Sequence, residues 1–469
     1  MTFAEIVTAV DDFAWGPVML ILLVGTGLYL SIRSGFLQFG RFGYAMKNTV
    51  GKIFHQQAAG KGEVTPFQAM TTALAGTVGT GNIAGVTGAI FIGGPGAVFW
   101  LWISALVGMV TKYAEVLLAV KFRERNKQGD WVGGPMYYIK NGLGKSWIWL
   151  SFVFAFFGIV ASFGIGNTTQ VDSIATAIGT AVSAFGGDAS GSTFRIVIGV
   201  IVAVFAAAVI IGGIKRIGAV TEKLVPFMAV VYIIAALIVI FGNIGQLGGV
   251  LGAIFTGAFN PKAVAGGALG AGIMLTIQKG IARGVFSNEA GLGSAPIAHA
   301  ATSETDPVKQ GLYGIFEVFM DSIVICTLTS LALLTGLSGQ VGMNGIDWGA
   351  SHGAEMVVSA FSGIFGSRIA AIVIAVGLSL FALSTILSWS LYGARCCEFL
   401  FGRAARPATL IYKILFCVVL VIGSTLGLKV VWDIGDALNG LMALPNLIAL
   451  LLLSGTVIKI TKEHFAKKE

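Results

Sequence analysis

Long apolar runs, separated by short polar or charged stretches, recur along the whole 469-residue chain. An α-helix needs about 20 predominantly apolar residues to cross the hydrocarbon core of a bilayer. Windows of that length predict eleven helices, at residues 16–33, 67–92, 95–122, 147–180, 195–213, 218–243, 266–285, 309–337, 367–393, 408–427 and 432–457. The pattern therefore predicts an all-α, polytopic membrane protein.

The second of these spans is interrupted by glycines and polar residues. Between Leu74 and Gly85 it reads LAGTVGTGNIAG. A helix that breaks inside a membrane frees backbone N–H and C=O groups, and leaving them unsatisfied in hydrocarbon is costly. Broken backbone is tolerated at that depth where it lines a cavity or holds a ligand, as in the discontinuous helices of secondary transporters. The interruption predicts a binding site near the middle of the membrane.

Composition supports the membrane class and argues against catalysis. Charged residues make up 11% of the chain, against roughly 25% in soluble domains. The four cysteines include the adjacent pair Cys396 and Cys397, which is neither a disulfide framework nor a metal-ligand spacing. The four histidines show no recurring spacing and are expected at the surface. We therefore predict no catalytic residues and no enzymatic activity. An ion channel is a separate alternative, which would need a continuous polar pore with repeated filter segments.

The basic residues predict the orientation of the chain. Most of the 30 Lys and Arg residues fall in alternate loops and in the tail after the last span, while the opposite side receives Arg195, Lys262, Arg368 and Lys429. The positive-inside rule then places the N-terminus outside and the C-terminus in the cytoplasm. The basic excess is expected to contact membrane lipid rather than nucleic acid, and no obligate protein partner is predicted.

The spans that follow the first one divide into two groups of five. Because five is odd, the two groups must have opposite orientations. Each opens with a glycine-interrupted helix, the second at 266–293, and such matched breaks indicate a transporter site at the interface of inverted repeats. The alternative is that the glycines only allow close helix packing. The predicted regions are an N-terminal helix and loop (1–66), a first repeat (67–243), a second repeat (244–457) and a basic tail (458–469).

The polar residues of the first break suit a cation and a zwitterion. Sodium, as a hard cation, is expected to bind oxygen atoms. Thr77 and Thr80 supply hydroxyls, Asn82 supplies an amide oxygen, and the unwound backbone supplies carbonyls. The half-helix that follows presents its N-terminus, which suits a carboxylate. One segment is therefore expected to hold both a small amino acid and its coupling ion.

A second polar group lies near residue 385. Ser384, Thr385 and Ser388 cover one arc of a helix, with Trp389 beside them. They are candidates for the site, and the alternative is that their hydroxyls only bond to the preceding helical turn.

Charged residues inside the spans are few. Asp321 lies within the eighth span and is a candidate ion ligand, because an intramembrane carboxylate is functional by default. Its alternative role is to pair with a neighbouring helix. Lys112 and Glu115 are three residues apart and are expected to form a local ion pair rather than a proton relay.

Three sequence blocks resemble one family. They are Thr77–Val86, Gly93–Glu115 and Gly284–Pro296, of which the third is highly specific. Together they resemble the alanine/glycine:cation symporters, also called sodium:alanine symporters, from about residue 10 to the last span. The resemblance implies the five-plus-five inverted-repeat fold of the amino acid–polyamine–organocation superfamily, preceded here by one extra helix.

The resemblance also implies a function. The chain is expected to be a secondary symporter of a prokaryotic cytoplasmic membrane that couples inward sodium movement to uptake of alanine or glycine by alternating access. Sodium is the expected co-transported ion. The nearest alternative is a proton-coupled symporter in which Asp321 or Glu115 relays the proton.

The run Val78–Asn82 is similar to the unwound first core helix of bacterial neurotransmitter:sodium symporters. This resemblance implies one sodium site built from the carbonyls of Ala75, Val78 and Phe381 and the hydroxyls of Ser384 and Thr385. Thr77 and Asn82 are candidates for a second ion, with Asp321 as a further ion ligand. The residues expected to contact the substrate are Gly79, Thr80 and Gly81 at its carboxylate, together with Thr77, Gln170, Ile273, Met274 and Trp389.

Overall fold

The computed structural model describes residues 13–52, 59–60, 62–189, 191–260, 272–348, 353–426 and 429–467. The first half contains α1 (Pro17–Arg33), α2 (Leu37–Gly40), α3 (Phe42–Asn48), α4 (Pro66–Thr77), α5 (Ala84–Gly93), α6 (Ala97–Lys121), β1 (Glu124–Arg125), β2 (Trp131–Val132), α7 (Pro135–Tyr138), α8 (Ile148–Phe163), α9 (Thr169–Ala184), α10 (Ser192–Ile210), α11 (Gly213–Gly242) and α12 (Leu247–Phe259). Strands β1 and β2 pair as a short antiparallel hairpin after α6.

The second half contains α13 (Ile273–Asn288), α14 (Pro296–His299), α15 (Pro307–Val318), α16 (Thr327–Val341), α17 (Ala354–Phe365), α18 (Ser367–Phe401), α19 (Ala405–Leu426) and α20 (Lys429–Ala466). Short 3-10 turns occur at Val50–Lys52, Thr80–Asn82, Lys145–Trp147, Ile244–Gln246, Met343–Gly345 and Gly402–Ala404. Wider π-helical turns occur at Ile139–Leu143, Gly164–Thr168 and Phe319–Cys326.

The membrane-spanning prediction is confirmed in its coarse form. Within the described residues, seven helical stretches are long and apolar enough to cross a membrane, and the bent pair α4–α5 makes an eighth. The seven are Ala97–Lys121, Lys145–Ala184, Ser192–Ile210, Gly213–Gly242, Pro307–Val341, Ser367–Thr425 and Ala437–Ala466, of which Ser367–Thr425 joins two predicted spans. The first predicted span is α1, which has only 17 residues, and part of the predicted span 266–285 lies outside the described residues. The count of eleven remains a prediction.

Two apolar helices lie outside the predicted spans. They are α12, with 13 residues, and α17, with 12 residues. Both are too short for a window of about 20 residues to detect. The sequence prediction missed them for that reason.

The broken helix begins at a well-defined cap. The Thr65 hydroxyl accepts a hydrogen bond from the Gln68 backbone N–H at 3.1 Å, and the Gln68 side chain accepts one from the Thr65 N–H at 3.2 Å. This reciprocal capping box, followed by Pro66 at the first helical position, starts α4. The helix ends at Thr77 because Val78 takes an extended conformation, and the chain resumes in α5 at an angle of 56° to α4.

The break in this helix lies between two parts of the bundle. On one side is the long helix α18, which packs against α4, α8, α9 and α11. On the other side are α13 and the π-helical turn at 319–326, both in contact with the 3-10 turn of the break. The helix α6 packs against α13 and α15 behind them. The fold thus encloses the break with residues from both halves of the chain.

The expectation that the histidines lie at the surface is wrong for His299. Its ring is fully buried, with Nε2 bonded to Glu317 and Nδ1 bonded to the Gln310 side-chain amide at 2.8 Å. The reason is that the short helix α14 packs against α4, α6 and α18 in the interior. His55 and His352 lie outside the described residues.

Candidate functional site

Within the break between α4 and α5, one side chain hydrogen-bonds to the backbone of the same segment. The Asn82 side-chain oxygen accepts a hydrogen bond from the Gly79 N–H at 2.8 Å, and the Asn82 N–H donates to the Gly79 carbonyl at 3.3 Å. A Cβ added at Gly79 would lie 2.4 Å from the Thr385 hydroxyl oxygen. A glycine is therefore required there because α18 approaches the backbone so closely.

Five oxygen atoms from α4 and α18 converge beside the break. The Ser384 hydroxyl lies 3.4 Å from the Ala75 carbonyl oxygen and 3.5 Å from that of Val78. The Thr385 hydroxyl lies 3.1 Å from the Ala75 carbonyl oxygen. Both hydroxyls also donate to the Phe381 carbonyl, at 2.8 and 3.1 Å. Back-bonding to the previous turn is therefore present, but the same hydroxyls also reach the frayed end of α4.

The remaining serine of this helical arc has a different partner. The Ser388 hydroxyl donates to the Thr72 carbonyl at 2.5 Å, one turn earlier on α4. This bond joins α4 and α18 at a position one helical turn away from the five oxygens. The Ser388 hydroxyl therefore contacts the regular part of α4 rather than the break, which is a packing contact between the two helices.

A second buried polar cluster lies on the other side of the break. Asp321 sits in the π-helical turn between α15 and α16, a feature that often marks functional positions. One of its carboxylate oxygens accepts from the Asn82 side-chain N–H at 2.6 Å and from the Ser287 hydroxyl at 3.1 Å. The other accepts from Ser322 at 2.8 Å. These four residues are 0 to 1% exposed, so the carboxylate is held by three donors away from water.

The second cluster differs in two ways from the sequence-based expectation. Ser287 belongs to it although it was not predicted as a site residue; its position in the third sequence block was the available signal. Thr77 is buried in α4, and its hydroxyl donates to the Leu74 carbonyl at 3.1 Å. That bond is ordinary back-bonding within a helix.

Three buried polar atoms around the break lack a hydrogen-bond partner among the described residues. They are the Thr80 hydroxyl, the Gln170 side-chain oxygen and the Tyr392 hydroxyl. A Cβ at Gly79 would lie 3.5 Å from the Gln170 oxygen, and a Cβ at Gly76 would lie 2.8 Å from the Tyr392 hydroxyl. Each unsatisfied buried group costs about 1–3 kcal/mol. All three lie around one short segment, and a polar ligand at the break would supply the missing hydrogen-bond partners.

Trp389 links this region to a second break in the chain. Between α13 and α14, Glu289 takes a left-handed conformation with φ of 55°. The Trp389 indole N–H donates to the Glu289 carboxylate at 2.9 Å, and the Ser294 hydroxyl donates to its other oxygen at 2.5 Å. Trp389 also packs closely against the π-helical turn at 164–168. A Cβ added at Gly166 would lie 2.1 Å from the Cβ of Trp389. Glu289 was missed by the sequence reasoning, although it lies in the third block.

Ile273 and Met274 are not brought to the break. They occupy the first turn of α13 and are 42% and 62% exposed. It is the far end of this helix that reaches the site, where the Phe286 ring lies 3.4 Å from a Cβ placed at Gly81. At 1.5 Å per residue, Ile273 is about 20 Å from Phe286 along the helix. The break that the structure describes here follows Asn288, within the predicted stretch 266–293.

The expected ion pair between Lys112 and Glu115 does not form. Glu115 instead accepts hydrogen bonds from the Gly291 N–H at 3.1 Å and from the Asn446 side-chain N–H at 2.5 Å. The Lys112 ammonium is fully buried and has no hydrogen-bond partner among the residues that the structure describes. The reason is tertiary: the second break frees the Gly291 N–H, and Glu115 is the acceptor that satisfies it.

An unwound helix within the apolar bundle, with oxygen atoms gathered on both of its sides, is typical of secondary transporters. The chain belongs to the sodium:alanine symporter family, whose sequence model matches residues 1–469. It is a cation-coupled amino acid symporter and a multi-pass integral protein of a prokaryotic membrane, not an enzyme.

Several named proteins are similar over nearly the whole chain. The sodium/alanine symporter AgcS of Methanococcus maripaludis is 46% identical over 468 residues, which cover 98% of this chain and 97% of that protein. The probable sodium/glutamine symporter GlnT of Bacillus subtilis is 36% identical, covering 99% and 91%. The putative sodium/proton-dependent alanine carrier YrbD of Bacillus subtilis is 33% identical, covering 99% and 93%.

A solved structure shares the fold. MhsT, crystallised in complex with L-phenylalanine, superposes with a TM-score of 0.59 at 13% sequence identity. The match covers 86% of this chain and 99% of MhsT. At that identity the likeness concerns the fold alone.

Proposed function

We propose that this protein couples the inward movement of sodium to the uptake of a small neutral amino acid, alanine or glycine, by alternating access. The observation that carries the proposal is the convergence of the Ala75, Val78 and Phe381 carbonyls with the Ser384 and Thr385 hydroxyls. Five neutral oxygens in a buried volume match the preference of a hard cation. Sodium binding there would join the unwound end of α4 to α18.

The substrate carboxylate is proposed to bind the amides at the start of the 3-10 turn, Thr80 and Gly81. The Gly79 amide is already engaged by Asn82, so it positions the loop rather than binding substrate directly. First-turn N–H groups have no partner within their own helix, and the positive end of the dipole favours an anion. The Phe286 ring would lie 3.4 Å from a Cβ at Gly81, and this close packing favours a substrate with a small side chain. Gln170, whose oxygen lacks a partner, is positioned to contact the substrate amine.

The Asn82 and Asp321 cluster is proposed as a second cation position. Its carboxylate supplies negative charge, and Ser287 adds a hydroxyl. Asn82 belongs to both the break and this cluster, so an ion at Asp321 would bear directly on the substrate-binding turn.

We also propose the finer architecture and orientation. The chain would cross the membrane eleven times, with the inverted repeats at 67–243 and 244–457, the extra helix and loop at 1–66 and the tail at 458–469. The first break approaches the last turn of α13, just before the second break, where the Phe286 ring would lie 3.4 Å from a Cβ at Gly81; this proximity supports the pairing of the two broken segments. The distribution of Lys and Arg supports an external N-terminus and a cytoplasmic C-terminus. Each inward sodium would then gain about 2.3 kcal/mol per 100 mV of membrane potential.

The test is uptake of labelled alanine into proteoliposomes. An inward sodium gradient is compared with an equal potassium gradient at matched pH and membrane potential. Accumulation with sodium alone supports the proposal. Equal uptake in both, abolished when the proton gradient is collapsed, would establish the proton-coupled alternative instead. Competition by unlabelled glycine and glutamine in the same vesicles then defines the substrate.

Asp321→Asn is expected to lower sodium-driven uptake by roughly tenfold to a hundredfold at every pH, because it removes the charge of a buried ion ligand. Uptake is measured between pH 6 and 8 at saturating alanine. Cys326→Ser is the control. The Cys326 sulfur also accepts a hydrogen bond from the Asn82 side-chain amide, at 3.3 Å, but it is not proposed to supply charge to the ion. Cys326→Ser should transport normally. A shifted pH optimum in Asp321→Asn, with undiminished maximal uptake, would identify Asp321 as a proton relay.

A further inference from the structure

An apolar groove runs along the outside of the bundle between α10 and α19, two helices that pack against each other. Its volume is about 530 Å³. Apart from Lys413 and Cys417, the residues that line it are Val, Ala, Ile and Leu, among them Val200, Val204, Ile211 and Val418. The groove is therefore built for a hydrocarbon ligand, except at one end.

That end opens into a polar cavity of about 620 Å³ at the start of α19. Arg395, Arg406, Lys413, Asp130 and Glu398 line this cavity. Leu410 and Lys413 belong to both the cavity and the groove, so the two are continuous. Together they form one amphipathic site with a charged head and an apolar channel.

The charges of the cavity do not balance. Arg395 is bonded to both acids, at 3.3 Å from Asp130 and 2.5 Å from Glu398. Lys413 donates to the Ile210 carbonyl at the end of α10, at 3.1 Å. Neither Lys413 nor the exposed Arg406 has a carboxylate within 4.0 Å among the described residues. The lining thus carries three positive and two negative charges, a surplus of one positive charge, and its two cations without a carboxylate partner lie beside the apolar groove.

The length of the groove identifies the kind of ligand. Its lining on α10 extends from Val200 to Ile211. At 1.5 Å per residue this is about 16 Å, close to half of the roughly 30 Å hydrocarbon core of a bilayer. One acyl chain of a single leaflet has that reach. The basic end matches a negatively charged headgroup, as in basic pockets between transmembrane helices.

We propose that this site binds one anionic phospholipid, with its phosphate against Arg406 and Lys413 and an acyl chain in the groove between α10 and α19. The bound lipid contacts the loop between β1 and β2 through Asp130 and Asn126 and borders the end of α18, the helix that also carries Ser384 and Thr385. The site is separate from the break between α4 and α5.

The test is native mass spectrometry of the full-length protein in detergent, titrated with dioleoylphosphatidylglycerol or with dioleoylphosphatidylcholine. Phosphatidylglycerol should bind with a stoichiometry of one at concentrations where phosphatidylcholine does not. Arg406→Gln and Lys413→Gln should each weaken binding by about fivefold, the effect of one basic residue at an anionic surface. Ala207→Trp, which fills the groove, should abolish it.

Two matched controls lie beside these positions. Arg403→Gln removes an exposed basic residue three positions away that does not line the cavity, and Ala208→Trp enlarges the next, exposed residue of α10 outside the groove lining. Both should bind lipid like the unmodified protein. Equal binding of the two lipids, unchanged binding in Arg406→Gln and Ala207→Trp, or equal losses in test and control variants would each overturn the proposal. A dimer that excludes lipid would do the same, by assigning the groove to a second copy.

Discussion

Gly79→Ala is expected to weaken sodium and alanine binding by roughly tenfold to a hundredfold and to reduce uptake to near background. The added methyl carbon would lie 2.4 Å from the Thr385 hydroxyl oxygen and 3.4 Å from its Cβ. Overpacking of this kind costs about 1–3 kcal/mol. Here it would separate α4 from α18 at the point where the five oxygens meet. Uptake and equilibrium alanine binding in the presence of sodium measure the effect.

Gly85→Ala is the matched control for this substitution. It adds the same methyl group six residues later, in the first turn of α5, where the nearest atom outside the neighbouring backbone of the helix would be in the Arg283 side chain, at 3.8 Å. That is an ordinary van der Waals distance, and the variant should transport normally. Full activity of Gly79→Ala, or equal losses in both variants, would mean that the close approach of α18 is not needed for transport.

Ser384→Ala and Thr385→Val are each expected to raise the sodium concentration for half-maximal uptake by roughly tenfold to a hundredfold. Each removes one oxygen from the five that surround the proposed ion, and an interaction with a charged group contributes about 1.5–3 kcal/mol. Alanine affinity measured at saturating sodium should change much less. Sodium titrations of uptake and of protein thermal stability both report the effect, because an ion that binds the folded state stabilises it.

Ser390→Ala controls for loss of a buried hydroxyl on the same helix. The Ser390 hydroxyl donates to the Leu387 carbonyl at 2.6 Å, which is back-bonding within α18. Its removal should leave the sodium dependence unchanged. If Ser384→Ala and Thr385→Val behave like Ser390→Ala, their hydroxyls serve only the helix, and the first sodium position is excluded.

The two polar clusters suggest how ion and substrate binding are linked. The Asn82 side-chain oxygen accepts a hydrogen bond from the Gly79 N–H, and the Asn82 side-chain N–H donates one to Asp321. An ion can shift a conformational equilibrium only through contacts that differ between the two states. The broken segment contacts α18 and the turn at 319–326, so one short loop joins separate elements. We expect an ion in either cluster to stabilise these contacts.

Local sequence patterns were sufficient for the broken segment itself. Glycines alternating with Thr77, Thr80 and Asn82 in an apolar run predicted an unwound helix, and the structure has that break between Thr77 and Ala84. Backbone conformation there depends on residues within a few positions of each other, which is the range that a sequence pattern reports. Ile273 and Met274 were expected at the site from resemblance and not from a local pattern, and they lie in the first turn of α13, away from the break.

The pairing of distant residues was beyond such patterns. Glu115 is three positions from Lys112, yet its hydrogen bonds go to Gly291 and Asn446, on elements far away in the chain. In the same way, Trp389 meets Glu289. Each pairing depends on the angles at which helices cross and on which freed backbone groups must be satisfied, and hydropathy contains neither.

The sequence by itself determined that this is a polytopic membrane transporter of one family, where most of its helices run, and which segment is unwound. Those properties follow from the length of apolar runs, from local backbone preferences and from family motifs. The tertiary structure alone decided that Ser287 joins Asp321, that Ile273 and Met274 lie at an exposed helix end, and that His299 is buried. The physical reason is that burial and hydrogen-bond partners are set by the packing of helices from both halves of the chain.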